Sequence, residues 1–249
     1  MRLLEGAAAP QQRGGEAGDL PEIATQWELI RDPAHVVMRY APAIRRYFGA
    51  LIRNEHDADE AAQDFFVRIM RGGFSRARQE RGRFRDYLAR AVRNAALNFL
   101  RDQRGPKAAR SPLPSVLLSE NRSTQDAEWL RGWRRCLMRR AWQGLAKHQQ
   151  RHPGNLCHTV LSVLAKHPGE DCTTLAARAS QLTSRRLSPV AFRKQVSRAR
   201  RVLALVLVAE VARTLDHPTR EQVAEELAEL GLWDRVRPYL PLDRPPDQR

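Results

Sequence analysis

Apolar residues recur at the spacing of one helix face along most of this 249-residue chain. In DADEAAQDFFVRIM, from Asp57 to Met70, the residues Ala58, Ala61, Ala62, Phe65, Phe66, Ile69 and Met70 follow one stripe at intervals of three and four. Such a pattern, with few β-branched clusters, predicts an all-α fold and leaves no segment that reads as a strand. Asp57 is the expected N-cap of this helix, with Glu60 three residues later at the capping-box spacing. Asp59, Gln63 and Asp64 lie off the stripe. Such a face is either simply solvated or, inside a basic module, a surface for docking another protein.

Glycine and proline divide the helical pattern. Residues 1–24 are rich in Ala, Gly, Gln and Pro and are expected to be a disordered leader. A first helical domain is expected over 25–104. The run GPKAARSPLPSVLLSENRST, 105–124, carries three prolines and reads as a flexible linker. A second helical domain is expected over 125–215, followed by an acidic helical extension over 216–249. The expected architecture is two small all-α domains on a tether. The longest apolar run has eight residues, Val202 to Ala209, against about 20 for a spanning helix. With no signal-like start at Met1 to Pro10, a cytoplasmic location is expected.

Charge sorts the function classes. The chain has 43 Lys and Arg against 28 Asp and Glu, a formal net charge of +15, which suits a protein that meets a polyanion. Only four of the basic residues are lysines. The excess sits in two places. Arg71 to Arg110 holds twelve basic residues and three acids, and Cys172 to Ala209 holds eight basic residues and no acid. From Glu210 onward nine acids face six bases. Two separate basic patches imply two contacts with nucleic acid.

Each patch contains a two-faced helix. In FRDYLARAVRNAALNFLRDQR, Phe84 to Arg104, the residues Leu88, Val92, Ala95 and Phe99 share one side, and Arg90, Arg93, Asn94, Arg101 and Arg104 share the other. The stretch before it, Arg71 to Arg83, is basic and bears Phe74; together with Phe84 and Tyr87 it supplies rings on which unstacked bases can lie. In the second patch a short helix over Thr174 to Leu182 precedes a second helix capped by Ser188, with Pro189 at its first position. Leu187 and Phe192 have the spacing of a hydrophobic staple. Phe192, Val196, Ala199 and Leu203 then form the core side, opposite Arg193, Lys194, Ser197, Arg200 and Arg201. This is the construction of a helix-turn-helix, whose basic side faces the major groove and phosphates.

Three cysteines, an odd number, argue against a disulfide framework. Cys136, Cys157 and Cys172 share a segment with His148, His152, His158 and His167, but there is no Cys-x-x-Cys pair, and buried thiols with solvated histidines are expected rather than a metal site. No phosphate-binding loop, nucleophile elbow or paired catalytic constellation is present, so neither an enzyme nor a cofactor is expected.

The run DADEAAQDFFVRI resembles the region-two helix of bacterial sigma factors of the sigma-70 family, and GRFRDYLARAVRNAALNFLRDQR resembles the promoter-melting and minus-ten-reading segment that follows it. LAARASQLTSRRLSPVAFRKQVSRARR, Leu175 to Arg201, is similar to region four, the helix-turn-helix that reads the minus-thirty-five element, with Gln181 to Leu187 in place of the usual short turn. Two modules joined by a linker resemble the compact extracytoplasmic-function group. The resemblance implies that Asp59, Gln63, Asp64 and Arg68 dock on core RNA polymerase. It places Arg85, Tyr87, Arg90, Arg93, Asn94, Asn98 and Arg101 near minus-ten DNA, with Tyr87 where the family favours tryptophan. It places Arg193, Lys194, Ser197, Arg198, Arg200 and Arg201 at the minus-thirty-five groove. Core RNA polymerase and promoter DNA are the implied partners, with an anti-sigma factor as a further one.

Two other classes are compatible with the residues: a stand-alone helix-turn-helix regulator, and an RNA-binding or nucleoid protein. The segment EQVAEELAELGLW, Glu221 to Trp233, is acidic and amphipathic. It is expected to be a packing helix, with a shield for the basic patch or a partner site as alternatives.

Overall fold

The computed structural model describes residues 32–72, 83–103, 122–215 and 218–240. These form an all-α array of α1 (Pro33–Leu51), α2 (Glu55–Gly72), α3 (Phe84–Gln103), α4 (Arg122–Arg151), α5 (Cys157–Lys166), α6 (Cys172–Thr183), α7 (Pro189–Ala212), α8 (Arg220–Glu229) and the short α9 (Trp233–Val236), which runs into a 3₁₀ turn at Arg237–Tyr239. The leader 1–24, Phe74, Arg104 and most of the expected linker lie outside the described residues; the last linker positions, from Arg122, already belong to α4. Among the described residues no helix is long and apolar enough to cross a membrane.

The helix starts follow local chemistry. Asp32 caps α1, accepting from the Ala34 amide at 3.0 Å. Thr219 and Gln222 form a reciprocal capping box on α8. At α2 the sequence expectation is displaced by one turn: the helix begins at Glu55, and Asn54 rather than Asp57 accepts the amide proton, from Asp57 N at 3.1 Å. Asp57 thus lies inside the first turn, where its charge favours the helix dipole.

Two cores organise the array. The smaller gathers Leu145, Leu156, Cys157, Val160, Leu175, Phe192, Val196 and neighbours from α4 to α7. The larger gathers α1, α2 and α3 with parts of α4, α7, α8 and α9. The expected separation into tethered domains therefore differs from the packing observed. The N-terminal half of α4 lies against α1, where Trp133, fully buried, stacks on Tyr40 with centroids 4.4 Å apart and planes 6° apart. Trp129 adds a tilted contact with Tyr47 at 5.1 Å. Two buried tryptophans hold more apolar surface than a solvated helix face can carry, so α4 seats on the first block rather than standing free of it.

Helix α7 joins the cores along its own length. Phe192, Val196 and Ala199 belong to the smaller core, while Ala204, Leu207, Val208, Val211 and Ala212 belong to the larger. It crosses α4 closely at Gly144, where a Cβ would meet Val206 Cγ1 at 2.6 Å. Gly132 makes a similar near approach of α4 to α1, with a Cβ there 3.4 Å from Ala43 Cα.

One carboxylate pins the junction of α1, α4 and α7. Glu210, only 5% exposed, pairs with the buried Arg39 and accepts from Arg140 Nε at 2.8 Å and Arg213 Nη1 at 2.7 Å. Burial alone would raise its pKa, but the three guanidiniums hold it below the ordinary carboxylate range. A group of this kind stabilises the fold above its unfolded pKa, about 4.3, and that stability is lost as the pH falls through the folded value. Glu210→Gln should therefore cost about 3–5 kcal/mol at neutral pH, read by urea denaturation. The gap between variant and parent should narrow below about pH 4.

Candidate nucleic-acid interface

The helix-turn-helix unit is built as its residues direct. Asp171 caps α6, accepting from Thr174 N at 2.9 Å, so that helix starts two residues earlier than expected. Ser184 leaves it in the left-handed region, φ 52°, and turns the chain. Ser180 Oγ accepts from Leu187 N at 2.9 Å and ties the turn back to α6. Ser188 caps α7, accepting from Ala191 N at 3.2 Å, with Pro189 in the first turn, and Leu187 packs with Phe192 in the smaller core. The turn after α6 is thus held by the Ser180 bond, by the apolar contact of Leu187 and by Arg185 Nη1, which donates to the Pro153 carbonyl at 3.1 Å. Arg193, Lys194, Ser197, Arg198, Arg200 and Arg201 are all exposed on α7. Arg200 Nη1 donates to Tyr239 Oη at 3.4 Å, and its guanidinium lies 6.0 Å from that ring.

On α3 the candidates separate. Arg90, Asn94, Asn98 and Arg101 are exposed and share one stripe at intervals of four, four and three. Arg93 is half-buried, with Nη2 donating to Tyr47 Oη at 2.7 Å and Asp126 Oδ1 at 2.8 Å, so it braces α3 against α1 and α4. Tyr87 is half-buried beside Phe84, centroids 6.4 Å apart, and burial pushes its hydroxyl pKa up.

Arg85 corrects the sequence expectation. It is 3% exposed and donates from Nη1 to Glu226 Oε1 at 2.7 Å and from Nη2 to Glu229 Oε2 at 2.6 Å. Arg83 pairs with the same two carboxylates. The reason lies in the register: Arg85 precedes Leu88, Val92 and Ala96 by three, seven and eleven residues, which puts it on the core stripe of α3. Burial pushes the Glu226 carboxyl above its ordinary range, against the pull of Arg85 and Arg83. Glu229, half-exposed, would also be raised by burial, but the hydrogen bonds from Arg83 and Arg85 hold it low.

The outer face of α2 carries Asp59, Gln63, Asp64 and Arg68, all exposed. Val67 at 46% and Met70 at 53% exposure join them. Met70 was expected on the buried stripe; the larger core ends at Ile69, leaving Met70 outside it. Sequence reasoning also missed Val67, which follows Asp59 and Gln63 by eight and four residues on the same face. A face of carboxylates with two apolar side chains suits a protein partner better than a phosphate backbone. Among the described residues no three His, Cys, Asp or Glu side chains gather as metal ligands. Cys136 is buried in the larger core and Cys157 in the smaller.

The burial of Arg85 has a measurable effect. Arg85→Ala strands Glu226 in the interior and should lower stability by about 3 kcal/mol or more in urea denaturation, whereas Arg90→Ala should change it by less than about 0.5 kcal/mol.

Residues 36–105 match the family model of sigma-70 region 2. No curated protein and no solved structure matches the chain. The matched stretch takes in nearly all of α1, all of α2 and α3, and so the acidic face of α2 and the basic stripe of α3 together. The first helical block of this chain is thus similar to sigma-70 region 2.

Proposed function

We propose that the protein is a sigma factor of the extracytoplasmic-function type, which binds core RNA polymerase and directs it to promoters carrying minus-ten and minus-thirty-five elements. The region 2 match over 36–105 carries this reading. A region 2 domain supports a role in transcription initiation, and the remaining assignments follow from how charge is distributed around it.

Each exposed face suits one task. The α2 face, with Asp59, Gln63, Asp64 and Arg68 beside Val67 and Met70, would dock on the polymerase. On α3, Arg90 and Arg101 would meet phosphates, and Asn94 and Asn98 can hydrogen-bond base edges. Tyr87 keeps a partly open ring at the start of that stripe for an unstacked base. On α7, Arg193, Lys194, Ser197, Arg198 and Arg201 would enter the major groove at the minus-thirty-five element, by the docking geometry of a recognition helix. The mechanism requires no covalent chemistry. Two-point binding sets register, base contacts select the site, and capture of unpaired bases favours the open strands.

Run-off transcription with core polymerase and genomic promoter fragments tests the proposal. Promoter-specific transcripts should appear only when the protein is present, and their absence would overturn the reading in favour of a stand-alone DNA-binding regulator. Arg193→Ala with Arg201→Ala should weaken promoter binding by the holoenzyme and flatten its dependence on log salt by about two units. Co-purification with core polymerase should stay unchanged in that variant. Asp59→Arg with Asp64→Arg should give the opposite result.

A further inference from the structure

Helix α7 carries an apolar residue on the side where folding needs none. Counted from Val190 at about 100° per residue, the core positions Phe192, Val196, Ala199 and Leu203 fall between about 180° and 240°, whereas Lys194, Ser197 and Arg201 fall within about 40° of it. Val190 therefore points away from the core, in the middle of the polar stripe, and is 53% exposed. Among the exposed residues from Pro189 to Arg201 it is the one apolar side chain. Its turn of helix is held on the other sides: Phe192 is buried, Cys172 Sγ donates to the Pro189 carbonyl at 3.3 Å, and Gln195 Nε2 donates to the Gly154 carbonyl at 3.5 Å. These contacts fix the direction in which Val190 faces.

We propose that Val190 is a specificity-determining residue, which selects a thymine by burying that base's C5 methyl group in the major groove. The inference rests on the proposed placement of α7 in the groove, and the chemistry of the stripe narrows what it reads. A recognition helix meets base edges through its N-terminal residues, and Val190 is the most N-terminal residue of the stripe. Thymine alone among the four bases presents an apolar group in that groove. The branched valine side chain is stiff at χ1, so it offers a methyl-covered surface at little cost in side-chain freedom. It has no donor or acceptor, and against guanine, adenine or cytosine it would leave polar base atoms without partners. Arg193, three residues on, has the paired donors that suit O6 and N7 of a guanine. The start of α7 thus places a methyl reader beside a guanine reader. Uracil lacks the methyl group, so the same contact also separates DNA from RNA.

The test is sequencing of the duplexes that the full-length protein retains, with and without core polymerase, from a random duplex library made once with thymidine and once with deoxyuridine. In the thymidine library the protein should prefer thymine at one position by about fourfold, the worth of one buried methyl group. In the deoxyuridine library that preference should vanish. Val190→Ala should lose the thymine preference and keep the guanine preference beside it, and Arg193→Ala should do the converse. Because Val190 is exposed and alanine is the better helix former, Val190→Ala should leave the thermal melt unchanged, so lost selectivity in that variant is not lost fold. A thymine preference that persists with deoxyuridine, one that survives Val190→Ala, or none in either library would overturn the proposal. The sigma-factor reading fails separately, by the absence of run-off transcripts, while the library still reports which bases α7 selects.

Discussion

Everything in this fold passes through the point where Glu210 meets Arg39, Arg140 and Arg213. A carboxylate and a guanidinium cannot be withdrawn from water separately at tolerable cost. Helices α1, α4 and α7 must therefore arrive together, in one register, for any of them to bury its apolar side. The ion cluster adds little net stability over an apolar contact of the same volume, but it leaves few alternative ways to assemble the three helices. The aromatic seam of Tyr40 and Trp133 then fills the space that this register creates.

The same logic recurs at Arg85 and Glu226. Two buried ion pairs, one drawing α7 onto α1 and one drawing α8 onto α3, attach the C-terminal half of the chain to the block of α1, α2 and α3. Both use an acid from the segment beginning at Glu210, where the sequence changes sign. Part of the acidic tail's charge is thus neutralised inside the protein by Arg39 and Arg85, which are buried with it.

How much of this was legible in the sequence depends on the kind of information each feature needs. Helix limits at α7 were readable because Ser188, Pro189 and Phe192 each act within one turn of the chain. The exposed stripe of α3 was readable from Arg90, Asn94 and Arg101 for the same reason. Arg85 was misplaced because a family pattern was carried onto it against its own register; spacing from Leu88 and Val92 assigns it to the core stripe. The shared core was not readable at all. Periodicity tells which side of α4 is buried, but Trp129 and Trp133 carry no mark of whether their partner is α5 or α1. Met70 could not be told from a core residue, since only the end of the larger core at Ile69 leaves it exposed, whereas the register of Val67 with Asp59 and Gln63 already marked its outer position.

Helix α7 is continuous from Pro189 to Ala212, and this makes it a lever. Its close crossing of α4 at Val206 and Gly144 is the natural fulcrum. The arm from Val206 to Ser188 is about 27 Å long. A tilt of about 20° at the fulcrum carries the first turn of the helix through roughly 9 Å, more than half the width of a major groove. Small repacking around the half-buried Gly144 is thereby converted into a displacement several times larger of the exposed arginines at the start of α7.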